Sequence, residues 1–363
     1  MPVDEVAYAL LDRIAASTRE GDADHLVLAD HLMRIGHQHW GELIVLACAE
    51  ARGELSREQR HQLFLLRGDA RAWLGPVKAV TYRREIDRGM LVGTGLDARR
   101  RGMIAAAAEH PAWRTVREVA LHEHARWAGH FRANDEIIAL LRRLPALAKL
   151  RGVTMDVVLA LGLAAAEAEP LRVRALELFL YKRNTDAIYR EVHESLGGLA
   201  FETVRELALG AGFYRDGNVD LTELDWWLAA PPIMRRIEAL ELGYVPQIGP
   251  WREALTRNAR QALRVCRAYT LTAGFQLERD AAGGWTRLTA RCGEEPRTTS
   301  RWQSRLDQLE HELATIAAGS LTSLELRVSP ELLPEAERRL EQIAMRQPYA
   351  EITATGATGG GWT

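Results

Sequence analysis

Val173-Arg174-Ala175-Leu176-Glu177-Leu178 is the stretch whose reading decides the fold. Its apolar residues stand first, fourth and sixth, and the last two alternate with a charge. A period of two marks a short strand with one buried face. The same spacing returns in Val116-x-x-Val119-x-Leu121, Val204-x-x-Leu207-x-Leu209 and Ile237-x-x-Leu240-x-Leu242. Fainter copies are Leu147-x-x-Leu150 and Cys266-x-x-Tyr269-x-Leu271, and a late one is Leu321-x-x-Leu324-x-Leu326. The central residues are 26–33 positions apart, except that the last interval is 55. That interval is about two periods and leaves room for one missing or replaced turn. Steady spacing of this size is the signature of stacked repeats.

The segments between copies read as helices. Asp135 to Leu144 places Ile138, Leu141 and Leu144 on one face, and Thr154 to Ala166 is apolar almost all round, which predicts deep burial. Asn184 to Leu196 carries Ile188, Val192 and Ser195, Leu221 to Ala230 follows Asp220 as N-cap, and Pro250 to Leu263 starts on proline. One strand and one helix per repeat predict a parallel sheet covered by helices. After Leu271, Phe275, Leu277, Trp285 and Leu288 flank a glycine-bearing loop and predict a hairpin. A helix over Ser300–Ala318, a strand over Leu321–Val328, a helix over Pro330–Met345 and a strand over Tyr349–Thr355 complete the expected cap.

Residues 4–74 read as four helices. Val6, Leu10, Leu11 and Ile14 form the apolar face of the first, and Leu26, Ala29, Leu32 and Met33 that of the second. The third begins near Gly41. Ser56 with Gln59 is a capping-box pair for the fourth, which ends at Trp73-Leu74-Gly75-Pro76. Short strands over Val77–Tyr82 and Met90–Val92 flank Asp87-Arg88-Gly89.

Two resemblances follow from these residues. Leu26-Val27-Leu28-Ala29-Asp30-His31-Leu32, then Gly36, then Gly41-Glu42-Leu43-Ile44-Val45-Leu46 resembles the repeat-companion domain, a helical module at the N-terminus of bacterial repeat proteins. Ala72 to Pro76 and Arg88-Gly89-Met90 fit its end, so the resemblance spans roughly residues 5–95. The family has an aromatic residue where this chain has Leu28 and tryptophan where it has His31. The resemblance implies a following repeat array, very often leucine-rich, and lends no catalytic residues. The array itself resembles long leucine-rich repeats of the ribonuclease-inhibitor type. The polar Asn or Cys of that pattern is absent here, the positions reading His124, Met155, Tyr181, Gly212, Val245 and Gly274. The expected fold is α/β: an irregular leucine-rich repeat solenoid, a curved parallel sheet with outer helices, behind an N-terminal helical module. Its expected boundaries are 1–95 for the module, 96–272 for the solenoid and 273–363 for the cap.

Composition narrows the function. Lys+Arg is 47 and Asp+Glu is 49 in 363 residues, with 47% hydrophobic. This balance disfavours a nucleic-acid binder. Three separated cysteines, Cys48, Cys266 and Cys292, favour a reducing compartment over a disulfide framework. An acidic start, Met1-Pro2-Val3-Asp4-Glu5, and no apolar run longer than Val157–Ala166 predict a cytoplasmic protein without membrane spans.

Candidate sites weigh as follows. His122, His124 and His130 lack the second histidine four residues after the first that a zinc-protease helix needs. His25, His31, His37 and His39 have no completing ligand set. Asp216 to Asp220 fails the calcium-loop pattern, reading Leu221 and Trp227 where Gly and Glu belong. Cys48 sits in an apolar helix and reads as packing. Arg99-Arg100-Arg101, near Arg83, Arg84 and Arg88, is the densest basic run. The expectation is therefore a non-catalytic, cofactor-free scaffold that binds a protein or peptide on the concave strand face. The residues nominated for contact are Glu118, His122, Lys149, Arg151, Glu177, Phe179, Glu206 and Glu241. Alternatives are a histidine-cluster metalloprotein or hydrolase, and nucleic-acid binding around Arg99–Arg101.

Overall fold

The computed structural model describes residues 3–17, 21–97, 100, 102–121, 135–164, 169–180, 186–211, 232–244, 251, 253–255, 257, 262–269, 274–291, 307–308, 310–311, 323–328, 333–346 and 351–356. The chain folds into two compact units: Met1–Leu176 with Leu199–Thr203, and Glu177–Gly198 with Val204–Thr363. Both are α/β, with mostly parallel sheets.

The first unit opens with α1 (Glu5–Ala16), α2 (Ala23–Arg34), α3 (Gln38–Ala51), α4 (Arg57–Gly68), α5 (Ala70–Leu74) and α6 (Val77–Val80). Asp4 caps α1 through the Ala7 N–H, and the Ser56–Gln59 capping box on α4 is formed in both directions. The core face of α1 is Ala7, Leu10, Leu11 and Ile14, whereas Val6 is 53% exposed. On α2 the buried residues are Leu28, Ala29 and Leu32, and Leu26 faces out. Val77 to Val80 forms a helical turn rather than the expected strand start, and the strand begins four residues later than expected, at Thr81.

β1 (Thr81–Asp87) and β2 (Met90–Leu96) form an antiparallel hairpin. Its two turn residues, Arg88 at φ +45° and Gly89 at φ +76°, both adopt the left-handed conformation that tight hairpins require. The helices grip this turn. Trp40 of α3 donates its indole N–H to the Gly89 carbonyl at 3.0 Å, and Trp40 lies 5.8 Å from Trp73. Asp22, before α2, accepts from Arg88 at 2.7 Å and from Arg52 at 2.6 Å. Burial pushes the Asp22 carboxyl up, but those two hydrogen bonds outweigh it and hold it below the usual carboxylate range.

Next come α7 (Met103–Ala107), a 3₁₀ turn at Pro111–Thr115, β3 (Glu118–Ala120), α8 (Asp135–Arg143), β4 (Lys149–Thr154), α9 (Met155–Ala164) and the first residues of β5 (Ala175–Leu180). β2, β3 and β4 are parallel, with Thr94, Val119 and Leu150 in one register row. The expected helix over Thr154–Ala166 is one-sided: Met155, Val157, Val158 and Leu161 are buried while Leu163 is 80% exposed.

The second unit holds the remainder of β5, α10 (Asp186–Gly197), β6 (Glu206–Ala211), a 3₁₀ turn at Pro232–Arg235, β7 (Ala239–Tyr244), β8 (Val265–Tyr269), β9 (Gly274–Arg279), β10 (Trp285–Arg291), β11 (Ser323–Val328), α11 (Leu333–Arg346) and β12 (Glu351–Gly356). Neighbours pair in chain order, all parallel from β6 to β12 except at β9, which runs antiparallel to both β8 and β10. The expected helix Leu221–Ala230 lies outside the described residues. In Pro250–Leu263 the described Trp251, Glu253, Ala254, Leu255 and Arg257 are helical.

One register row crosses this unit: Leu207, Leu240, Cys266, Leu277, Leu288, Leu324 and Ile352. It corrects the reading of two segments. The central residue of the β8 copy is Cys266 and not Tyr269, so the copy is Leu263-x-x-Cys266-x-Ala268, all three fully buried. The 55-residue gap is filled by the hairpin, whose second strand supplies Trp285-x-x-Leu288-x-Ala290, each at most 6% exposed.

A main-chain signature recurs at four of the strand entrances. The carbonyl before one strand accepts the two N–H groups that open the next. Arg117 O takes Ala148 N and Lys149 N, both at 2.9 Å, and Ala148 O takes Arg174 N at 2.8 Å and Ala175 N at 3.0 Å. In the second unit, Arg205 O takes Glu238 N at 2.7 Å and Ala239 N at 3.2 Å, and Glu238 O takes Arg264 N at 2.8 Å and Val265 N at 3.1 Å. Backbone groups at the strand entrance are thus satisfied without a side chain.

Two measurements test this account. Gly89→Ala is expected to cost about 2–3 kcal/mol, because a Cβ would lie 2.9 Å from the Ile44 Cα at a left-handed φ. Gly53→Ala, at φ +75° in open space, is the strain-only control at about 1 kcal/mol; urea unfolding reads both. His193 on α10 is 5% exposed, and burial lowers its pKa from 6.5 to about 4. Above pH 6.5 neither state binds the proton, and below it the unfolded chain takes it up first. Stability therefore falls as pH drops from about 6.5 to about 4, by up to about 3 kcal/mol. His193→Gln should shrink that loss in urea titrations at pH 7 and 4.5.

Candidate binding face

In each unit the strand residues between the buried ones alternate to the opposite side of the sheet. In the first unit Glu118 on β3 stands in register with Lys149 on β4, and Ala120 with Arg151. Glu118 is ion-paired to both neighbours, at 3.4 Å from the Lys149 Nζ and 3.3 Å from an Arg151 nitrogen. The three nominated side chains are therefore one partly exposed cluster, a carboxylate between two cations. His122, with His124 and His130, lies outside the described residues.

In the second unit Glu177 and Phe179 are half-buried on β5, beside β6. Glu206 stands opposite Ala239, and Ala208 opposite Glu241, which in turn faces Arg267 on β8. The four nominated residues of this unit are thus half-buried, on three neighbouring strands. Ala208, Ala239 and Val265 lie between the charges and leave low ground.

The same side continues where only a cap was expected. Arg267 donates to Gln276 at 2.9 Å, and Gln276 to Glu278 at 2.5 Å. Arg287 reaches Glu325 at 3.2 Å, and Thr355 donates to Glu325 at 3.3 Å. Each of these sits at an alternating position of β8 to β12, so period-two polarity in residues 274–291 was the available signal.

The other candidates come apart. Arg100 pairs with Asp97 at 3.6 Å, Arg83 with Glu85 at 3.1 Å and Arg88 with Asp22, while Arg99 and Arg101 lie outside the described residues. His31 bonds Asp4 at 2.8 Å. Among the described residues no group of three or more His, Cys, Asp or Glu is placed to hold a metal ion. Burial, and then Asp22, pushes the Cys48 thiol up to about 11, which leaves almost no thiolate at neutral pH. Asp216 to Asp220 and Trp226-Trp227 lie outside the described residues. No helix among the described residues is long and apolar enough to cross a membrane.

The fold and face define an α/β protein with recurring parallel strands and, in each unit, a charged, partly exposed sheet side. Comparison of the chain with protein-family models, curated proteins and solved structures found no match.

Glu118→Ala should cost under about 1 kcal/mol, because its two ion pairs are solvent-screened. A loss above about 2 kcal/mol in urea unfolding would show that Glu118 supports the sheet rather than serving as surface.

Proposed function

We propose that this chain is an interaction scaffold that binds a protein or peptide on the polar side of its strands. The observation that carries this reading is the in-register ladder of partly exposed charged residues on β6 to β11, interrupted by Ala208, Ala239 and Val265. Mixed charges fixed by a sheet give directional contacts, and small residues between them admit a partner's side chains. A face built from many strands suits an extended macromolecular surface.

The same proposal extends to the finer architecture. The recurring strand, the paired N–H groups on one carbonyl and the 3₁₀ turns ahead of β3 and β7 support an irregular leucine-rich repeat array. The helices α1 to α6, which clasp the first hairpin, support a repeat-companion-like module ahead of it. A bacterial, cytoplasmic setting belongs to this reading.

The test is affinity capture with the intact chain and with Glu206→Arg/Glu241→Arg, both checked by circular dichroism. A protein captured by the parent is expected to drop about tenfold or more in the variant. Equal recovery by two correctly folded proteins would remove the sheet face from consideration.

A further inference from the structure

β12 is the last strand of its sheet, and among the described residues it pairs with β11 alone. No other backbone hydrogen bond reaches it from the described residues. The N–H and C=O groups along its outer side are a template for a further strand.

Edge strands are ordinarily guarded by bulges, prolines or charged side chains. β1, the outermost strand of the first unit, has such guards. Its pairing with β2 shifts register twice, and Arg83, Arg84, Glu85 and Asp87 charge most of its length. β12 has almost none. Glu351-Ile352-Thr353-Ala354-Thr355-Gly356 contains no proline and no basic residue, and it holds one unbroken register with β11 from end to end. Isoleucine and threonine are good strand formers. Thr353 and Thr355 are exposed and alternate with Ile352, which stands in the row of Leu324.

The composition of the edge also selects its occupant. A second copy, turned antiparallel about a twofold axis normal to the sheet, sets polar side beside polar side and helix side beside helix side. With the axis level with Ala354, Thr353 lies across from Thr355 of the second copy, a favourable cross-strand pair. Glu351 is the one charge, at the start of the strand. Antiparallel pairing sends its two copies to opposite ends, where parallel pairing would set them side by side. Head-to-tail addition to β1 of another copy is opposed by the bulges and charges there, so the contact closes on two chains.

We propose that two copies of this chain associate by antiparallel pairing of their β12 strands. The contact uses a strand edge and is independent of partner binding on the polar strand face.

Sedimentation velocity of the full chain, from about 1 µM to about 1 mM, is expected to show a monomer–dimer equilibrium with a Kd on the order of 100 µM, as fits one short strand pair. Amide exchange read by mass spectrometry should slow over residues 351–356 as concentration rises through that range. Thr353→Lys/Thr355→Lys sets lysine against lysine across the axis and should weaken association about tenfold or more. Circular dichroism and the urea midpoint verify that this variant is folded. A parent chain that stays monomeric at about 1 mM, equal association by the folded variant, or a dimer with unchanged exchange over residues 351–356 would overturn the proposal.

Discussion

The row of buried side chains at the centre of each strand is the constraint on which the rest depends. In the second unit it runs through Leu207, Leu240, Cys266, Leu277, Leu288 and Leu324, each at or near complete burial where its side chain is described. A strand shifted by one residue would turn this row to water and bring glutamates and arginines into the core. Each large aliphatic member contributes on the order of 2 kcal/mol by leaving water. The cost of a slip multiplies along the row, so register is tightly held. The polar ladder on the other side is its geometric consequence, since side chains alternate.

The start of the sheet is fixed differently. Here a hairpin turn is the docking element, and the helices are built around it. Gly89 leaves no room for a Cβ against Ile44, and its carbonyl meets the Trp40 indole. Arg88 reaches back to Asp22, which also holds Arg52. Arg114 adds a second tie, bonding Asp12 at 3.1 Å while its guanidinium lies 5.2 Å from the Tyr8 ring centroid. The helical module is joined to the strands by specific polar contacts as well as by apolar burial.

Much of this was legible in the residues. The period-two copies at Val119, Leu176, Leu207 and Leu240 became strands, as did Leu324 in the late segment. The Ser56 cap and the hairpin around Asp280–Gly284 also formed where composition placed them. The failures have physical causes. Tyr269 and Leu271 are the larger side chains, yet the smaller Cys266 and Ala268 fill the core positions, in step with Leu263. The β4 copy looked faint because Gly152, at φ +62°, stands where its third apolar residue belongs. The alternation within residues 274–291 marked a polar face, but the partners that join it into a ladder are set by cross-strand register, which one strand's sequence does not contain.

Among the described strands of the second unit, the one antiparallel strand, β9, has a consequence for how such a sheet changes length. The chain reverses entering β9 and reverses again entering β10, so the two reversals cancel. The carboxyl ends of β6, β7, β8, β10 and β11 consequently share one rim. An insertion of one strand would have inverted everything downstream and sent the later connections to the opposite rim. Strands can therefore be gained or lost by hairpins without disturbing polarity, and parity becomes the rule that growth of this sheet must obey.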